Sequence, residues 1–280
     1  MDQAGRLRKL VYKRLEERSR VIAIASGKGG VGKTNIAVNL GLILARQGRR
    51  TLLFDADLGL ANVDILMGLV PRYSLREVIG GQCSLEEVII RGPHDLLLVP
   101  GASGIQELAD LDPLARDRLI HDLALLATEV DIILVDSGAG ISRTVFSFAA
   151  AAGEAIVVAT PEPTSITDAY GLIKGLQRLK VSMHLLVNRA ANKLEGQQAA
   201  GRLQGACRRF LQLELPLLGI IPEDPRVGQA VRCQQPFSEL YPRCPAAQAL
   251  EEAAARLQGQ ELPAGRSQGF WQRLGRLLGR

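Results

Sequence analysis

The sequence has no apolar run approaching the ~18–20 residues that span a bilayer, which excludes an integral membrane helix. Its start, Met1-Asp2-Gln3-Ala4, runs into charged positions and not into the apolar stretch of a signal peptide. The expected compartment is therefore the cytoplasm. Cysteine is scarce. Cys83, Cys207, Cys233 and Cys244 show no Cys-x-x-Cys spacing and no nearby histidine cluster, so a disulfide framework and a structural metal or iron–sulfur site are set aside. No internal repeat is visible. What remains is globular in composition, 47% apolar and 22% charged over 280 residues, enough for one large α/β domain or two small ones.

Acidic charge is missing where basic charge concentrates. Residues 1–20 hold seven basic and three acidic side chains, and residues 266–280 hold four arginines and no acid. Each end thus carries +4, which leaves about −3 of the net +5 for the body. Basic ends on a slightly acidic body point to an anionic membrane surface as a partner of the ends, and away from nucleic acid as a partner of the core.

Between the ends, strand-like runs alternate with helical ones. Val21–Ala25, Thr51–Phe54, Leu96–Val99, Ile132–Val135, Ala155–Ala159, His184–Val187 and Leu217–Ile220 read as strands. Residues 33–47, 112–128, 164–178, 194–212 and 246–258 read as helices, the first ended by Gly48. This alternation predicts an α/β fold, a mostly parallel sheet with helices on both faces. In such sheets ligands sit at the carboxyl ends of the strands. The divisions expected are a basic N-terminal segment 1–20, a nucleotide-binding domain 21–258, a linker 259–268 rich in Gly, Pro and Ser, and a terminal amphipathic helix 269–280.

After the first strand comes Gly27-Lys28-Gly29-Gly30-Val31-Gly32-Lys33-Thr34, a phosphate-binding loop. Its glycines let backbone N–H groups converge on phosphate oxygens where a Cβ would obstruct. Lys33 is placed for the β- and γ-phosphates and the Thr34 hydroxyl for Mg²⁺, with the helix N-terminus behind them. The ligands expected are ATP and magnesium. Asp55 and Asp57 follow the second strand, where carboxylates serve the magnesium shell and the attacking water. Ile132-Ile133-Leu134-Val135-Asp136 is an apolar strand ending in an acid, which places Asp136 on Mg²⁺ through water. Gly138 or Gly140 is then the γ-phosphate sensor.

Lys28 is not needed by an ordinary phosphate loop. The pattern Lys-Gly-Gly-x-Gly-Lys-Thr resembles the deviant Walker A loop of the MinD/ParA family, P-loop ATPases of the SIMIBI type. The resemblance implies a homodimer when ATP is bound, with Lys28 crossing to the partner's phosphates and Asp168 orienting it. It assigns water positioning to Asp57 and the metal neighbourhood to Asp55. It places Asn188 on the adenine edge and Pro222 and Glu223 against the base. A strand-end turn remains the alternative for Asn188, and turn chemistry before Pro225 for Glu223 and Asp224.

Asp2-Gln3-Ala4-Gly5-Arg6-Leu7-Arg8 resembles the N-terminal motif of the flagellar-number regulators (FlhG, FleN, YlxH), a branch of the MinD family. It implies that Asp2, Gln3, Ala4, Leu7 and Arg8 activate an FlhF-type GTPase, with switch-ring proteins of the flagellar basal body as further partners. Asp2 as a helix cap is the structural alternative. A cell-division or chromosome-positioning ATPase of the MinD/ParA type is the second functional reading.

On a helix of ~100° per residue, Phe270, Trp271, Leu274, Leu277 and Leu278 share one ~120° arc, opposite Gln272, Arg273, Arg276 and Arg280. Two readings stay open: a peripheral membrane anchor, reversible and on the inner face of the cell membrane, and a tail helix docked on the domain.

Overall fold

The computed structural model of the chain describes residues 19–57, 62–101, 113–259 and 269–278, without the side chains of 113–117, 276 and 278. The motif residues Asp2, Gln3, Ala4, Leu7 and Arg8, and the expected linker apart from Gly259, lie outside the described residues.

Among the described residues eight strands form one sheet in the order β3-β4-β2-β5-β1-β6-β7-β8. They are β1 (Arg20–Ser26), β2 (Thr51–Ala56), β3 (Ile90–Arg91), β4 (Leu97–Val99), β5 (Ile132–Ala139), β6 (Glu154–Ala159), β7 (Ser182–Ala190) and β8 (Leu217–Pro222). All pairings are parallel except β3 with β4. β1, β2 and β6 are buried at every residue, which is why their sequences run apolar without alternation.

The helices are α1 (Lys33–Arg46), α2 (Val63–Met67), α3 (Leu75–Ile79), α4 (Leu85–Val88), α5 (Pro113–Thr128), α6 (Arg143–Ala152), α7 (Pro163–Arg178), α8 (Lys193–Ala206), α9 (Pro225–Arg232), α10 (Phe237–Leu240), α11 (Pro245–Gln258) and α12 (Phe270–Leu278). The strands divide the core by alternation: Val21, Ala23 and Ala25 face α5 to α8 and α12, while Ile22 and Ile24 face α1 and α11. α8 is continued by a π-turn, Cys207–Leu211, which together fill the expected 194–212 helix. The short α2, α3, α4, α9 and α10 and the two-residue β3 were not expected. Each is about a turn or two long, below the window in which a 3.6-residue period can be recognised. Capping boxes at Ser74/Glu77 and Ser84/Glu87 start α3 and α4.

At the opposite end of the sheet from the glycine loop, three strands bring charge together in the interior. Arg20 of β1 donates to both carboxylate oxygens of Glu154 in β6, at 2.6 and 3.0 Å, and to the Leu257 carbonyl of α11. His184 of β7 lies 3.2 Å from the same carboxylate. These partners outweigh burial and hold the Glu154 carboxyl down at about 2. No helix among the described residues is long and apolar enough to cross a membrane.

Candidate functional site

The glycine loop leaves the carboxyl end of β1 and turns into α1. Gly30 and Gly32 have φ of +77° and +87°, the left-handed region that residues with a Cβ enter at a cost. Gly27 packs so closely on the Asp168 backbone that a Cβ there would overlap its carbonyl. Asn188 donates from Nδ2 to the Val31 carbonyl at 2.8 Å, and a Cβ on Gly32 would stand 2.5 Å from that nitrogen. β7 therefore braces the loop through Asn188. This contact uses one N–H of the Asn188 amide, and the same side chain has a second N–H and Oδ1 for the expected adenine edge.

Lys33 opens α1, and its Nζ lies 2.6 Å from Asp136 Oδ1, both side chains being buried. Asp136 in β5 stands beside Asp55 in β2 in the ladder. Burial, reinforced by the neighbouring Asp136, pushes the Asp55 carboxyl up to about 7. Burial also raises Asp136, opposed by Lys33 and by a hydrogen bond with Thr34. Asp55 Oδ1 accepts the Asp57 N–H at 3.1 Å. Asp55 Oδ2 and Asp136 Oδ2 are buried without a hydrogen-bond partner. Two unsatisfied carboxylate oxygens beside a threonine hydroxyl suit a hydrated hard cation, so the donor set of Thr34, Asp55 and Asp136 fits magnesium. Asp57 Oδ1 lies 3.6 Å from where a Cβ on Gly138 would stand, which brings the two expected switch segments side by side.

In the single chain Lys28 rests on partners other than the one the resemblance implies. Its Nζ bonds Glu162 Oε2 at 2.8 Å and Thr164 Oγ1 at 3.1 Å, and not Asp168. Glu162 stands at the N-cap position of α7, six residues before Asp168 in the helix's second turn. Asp168 meets the loop through its backbone against Gly27. Glu162 and Thr164 are contributions that sequence reasoning missed, although both stand in the segment it singled out.

At the end of β8, Pro222 pairs with Ala190. Glu223 forms a 3.2 Å ion pair with Arg189, and Asp224 caps α9 by accepting the Arg226 N–H at 3.0 Å. Both acids thus have turn and surface partners. Among the described residues no cluster of His, Cys, Asp and Glu forms a separate metal site, and the four cysteines are free.

The terminal helix α12 lies against α5 and α6. Phe270, Trp271 and Leu274 are buried, Leu277 is half-buried, and the Leu278 side chain lies outside the described residues. Trp271 meets Phe54 of β2 edge-on, with centroids 5.0 Å apart. The apolar face is covered by the domain here.

Comparison with known proteins agrees with this geometry. The CobQ/CobB/MinD/ParA nucleotide binding domain matches residues 22–237. The chain is 44% identical to the antiactivator FleN of Pseudomonas aeruginosa over 246 residues, covering 87% of this chain and 88% of that protein. It is 34% identical to the flagellum site-determining protein YlxH of Helicobacter pylori over 269 residues, covering 93% and 91%. The solved structure of MinD with Mg-ADP from Pyrococcus horikoshii superimposes with a TM-score of 0.70 at 28% identity, covering 85% of this chain and 96% of that one. The chain belongs to the CobQ/CobB/MinD/ParA nucleotide-binding family, among the MinD-like proteins that include the antiactivator FleN and the flagellum site-determining protein YlxH.

Proposed function

We propose that this protein is an ATP-hydrolysing switch that regulates flagellar number and placement. The observation that carries the ATPase is the arrangement of Lys33, Thr34, Asp55 and Asp136 around two unsatisfied carboxylate oxygens at the mouth of a left-handed glycine loop. The 34% identity to the flagellum site-determining protein YlxH supports the flagellar output.

On this reading ATP enters the loop with Mg²⁺ held by Thr34, Asp55 and Asp136. Mg²⁺ held by these residues would offset phosphate charge during transfer of the γ-phosphoryl group to water. Lys33 turns from Asp136 to the phosphates. Asp57 orients the attacking water, and Gly138 follows the γ-phosphate. Lys28 leaves Glu162 and Thr164 and reaches the phosphates of a second subunit, so the ATP-bound form is a homodimer. The Lys28–Glu162 pair is half-exposed and screened by solvent, an easy contact to exchange for a phosphate.

The output runs through both ends. Asp2, Gln3, Ala4, Leu7 and Arg8 stimulate an FlhF-type GTPase, and switch-ring proteins are further partners. α12 reaches an anionic membrane surface once it leaves the domain. Docking is weakened from within, because Trp271 Nε1 is buried without a hydrogen-bond partner, a cost of ~1–3 kcal/mol. Release exposes Phe270, Trp271 and Leu274 together, and two such helices on one dimer gain from effective concentration.

Asp57→Ala tests the assignment. It is expected to keep ATP binding and dimerisation while phosphate release falls about 100-fold or more. Normal turnover would remove Asp57 from the water-positioning role.

A further inference from the structure

A groove of about 370 Å³ runs between α4, the β3–β4 edge and the last turns of α5. Its floor is apolar, with Leu85, Leu97 and Leu125, and its rim is acidic, with Glu86, Asp122 and Glu129 against Arg91 in the lining and Arg50 near Glu129. Among the described residues none of these three acids makes a salt bridge. We propose that this groove receives the chain's own residues 1–18, holding the N-terminal segment against the domain in cis.

The tether places the segment at the groove. Ser19 donates its hydroxyl to the carbonyls of Ala127 and Val130, which flank the groove residues Thr128 and Glu129. The chain preceding β1 therefore starts beside the groove wall. β4 stands three strands from β1, ~14 Å at ~4.8 Å per strand. Eighteen residues span ~27 Å even when wholly helical, so the reach suffices.

Charge and pattern match as well. The segment carries Arg6, Arg8, Lys9, Lys13, Arg14 and Arg18 against Asp2, Glu16 and Glu17. At ~100° per residue Leu7, Leu10, Val11 and Leu15 fall in one ~140° arc, and Arg14 and Arg18 fall inside that arc. A helix lying on a membrane keeps its bases at the flanks of the apolar face. Arginines set within the apolar face suit an apolar floor rimmed by carboxylates, and both stand in the turns nearest the tether. Tethering supplies an effective concentration in the millimolar range, so a weak contact fills the groove. The consequence, which rests on the reading of residues 1–18 as a GTPase-activating segment, is that the activator is masked until it leaves the groove.

Hydrogen exchange on the full chain, without nucleotide or partner, tests the docking. Relative to the unmodified chain, Arg14→Glu with Leu15→Asp should raise exchange in peptides covering 85–91 and 121–129 by roughly fivefold, leaving peptides of β5 unchanged. Adding Asp122→Lys to Arg14→Glu should restore protection. Equal exchange in the unmodified and variant chains would overturn the proposal. Protection that fades on dilution would also overturn it, by assigning the groove to a second copy's segment. With an FlhF-type GTPase, Asp122→Lys with Glu129→Lys should raise stimulation about fivefold. Intact protection with no stimulation by any form would refute the activator reading and leave the docking standing.

Discussion

Replacing Gly275 by Ala should drive α12 off the domain without altering its apolar face or its charge. Gly275 sits where α12 crosses α5, and a Cβ there would overlap the δ-methyl of Ile120. Ala favours any helical state over Gly by ~1 kcal/mol, so docked and membrane-bound α12 gain alike and that contribution cancels between them. What differs is the overlap. Turning Ile120 off its rotamer costs ~0.5–1.5 kcal/mol, and overpacking a filled contact costs ~1–3 kcal/mol. A net penalty of ~1–2 kcal/mol raises the released fraction ~5–30-fold. Pelleting with anionic vesicles in the absence of nucleotide reads this directly, and Gly275→Ala should pellet several-fold more than the unmodified chain. Trp271→Glu in the same background should abolish the gain, because it removes the largest membrane-facing side chain. Pelleting of Gly275→Ala equal to or below that of the unmodified chain would refute the idea that docking withholds the helix.

The Asp55 carboxyl, lifted to about 7, binds a proton in the folded chain over a range where the unfolded chain has lost it. Stability without ligand should therefore fall as pH rises from ~4 through ~7, and Asp55→Asn should flatten that slope in thermal melts. Glu154 has the opposite sign: held at about 2 by His184 and Arg20, it contributes stability that is present above ~4.5 and lost as pH falls towards ~2. Glu154→Gln should destabilise by ~3–5 kcal/mol in urea unfolding, because Arg20 loses its buried counter-charge. Asn188→Ala removes the brace on the Val31 carbonyl and should weaken nucleotide binding about tenfold by calorimetry, with little change in melting temperature without nucleotide.

The phosphate loop and its acids were legible because their chemistry is written locally. Eight consecutive residues make the loop, and an apolar strand ending in Asp136 makes its partner. The parallel α/β fold was legible for the same reason, since each strand and helix carries its own period. Pairings over long separations were not. Lys28 finds Glu162 134 residues away, and the loop pattern does not say which acid of the later segment will be nearest. The Arg20–Glu154–His184 cluster joins three strands whose order is set by tertiary packing, and in the sequence each member is one polar residue at a strand end. The terminal helix shows a further limit. An apolar arc opposite a basic stripe reads the same whether it meets lipid or protein, and the gap that admits Ile120 at Gly275 is visible only once the helices are side by side.

On the proposed function ATP closes two copies of this chain through Lys28. Sedimentation velocity with Mg-ATP, compared with Mg-ADP, tests it most directly. The unmodified chain should sediment as a dimer with ATP and a monomer with ADP, and Lys28→Ala should remain a monomer with both while still binding ATP. A Lys28→Ala variant that dimerises with ATP as fully as the unmodified chain would contradict the claim.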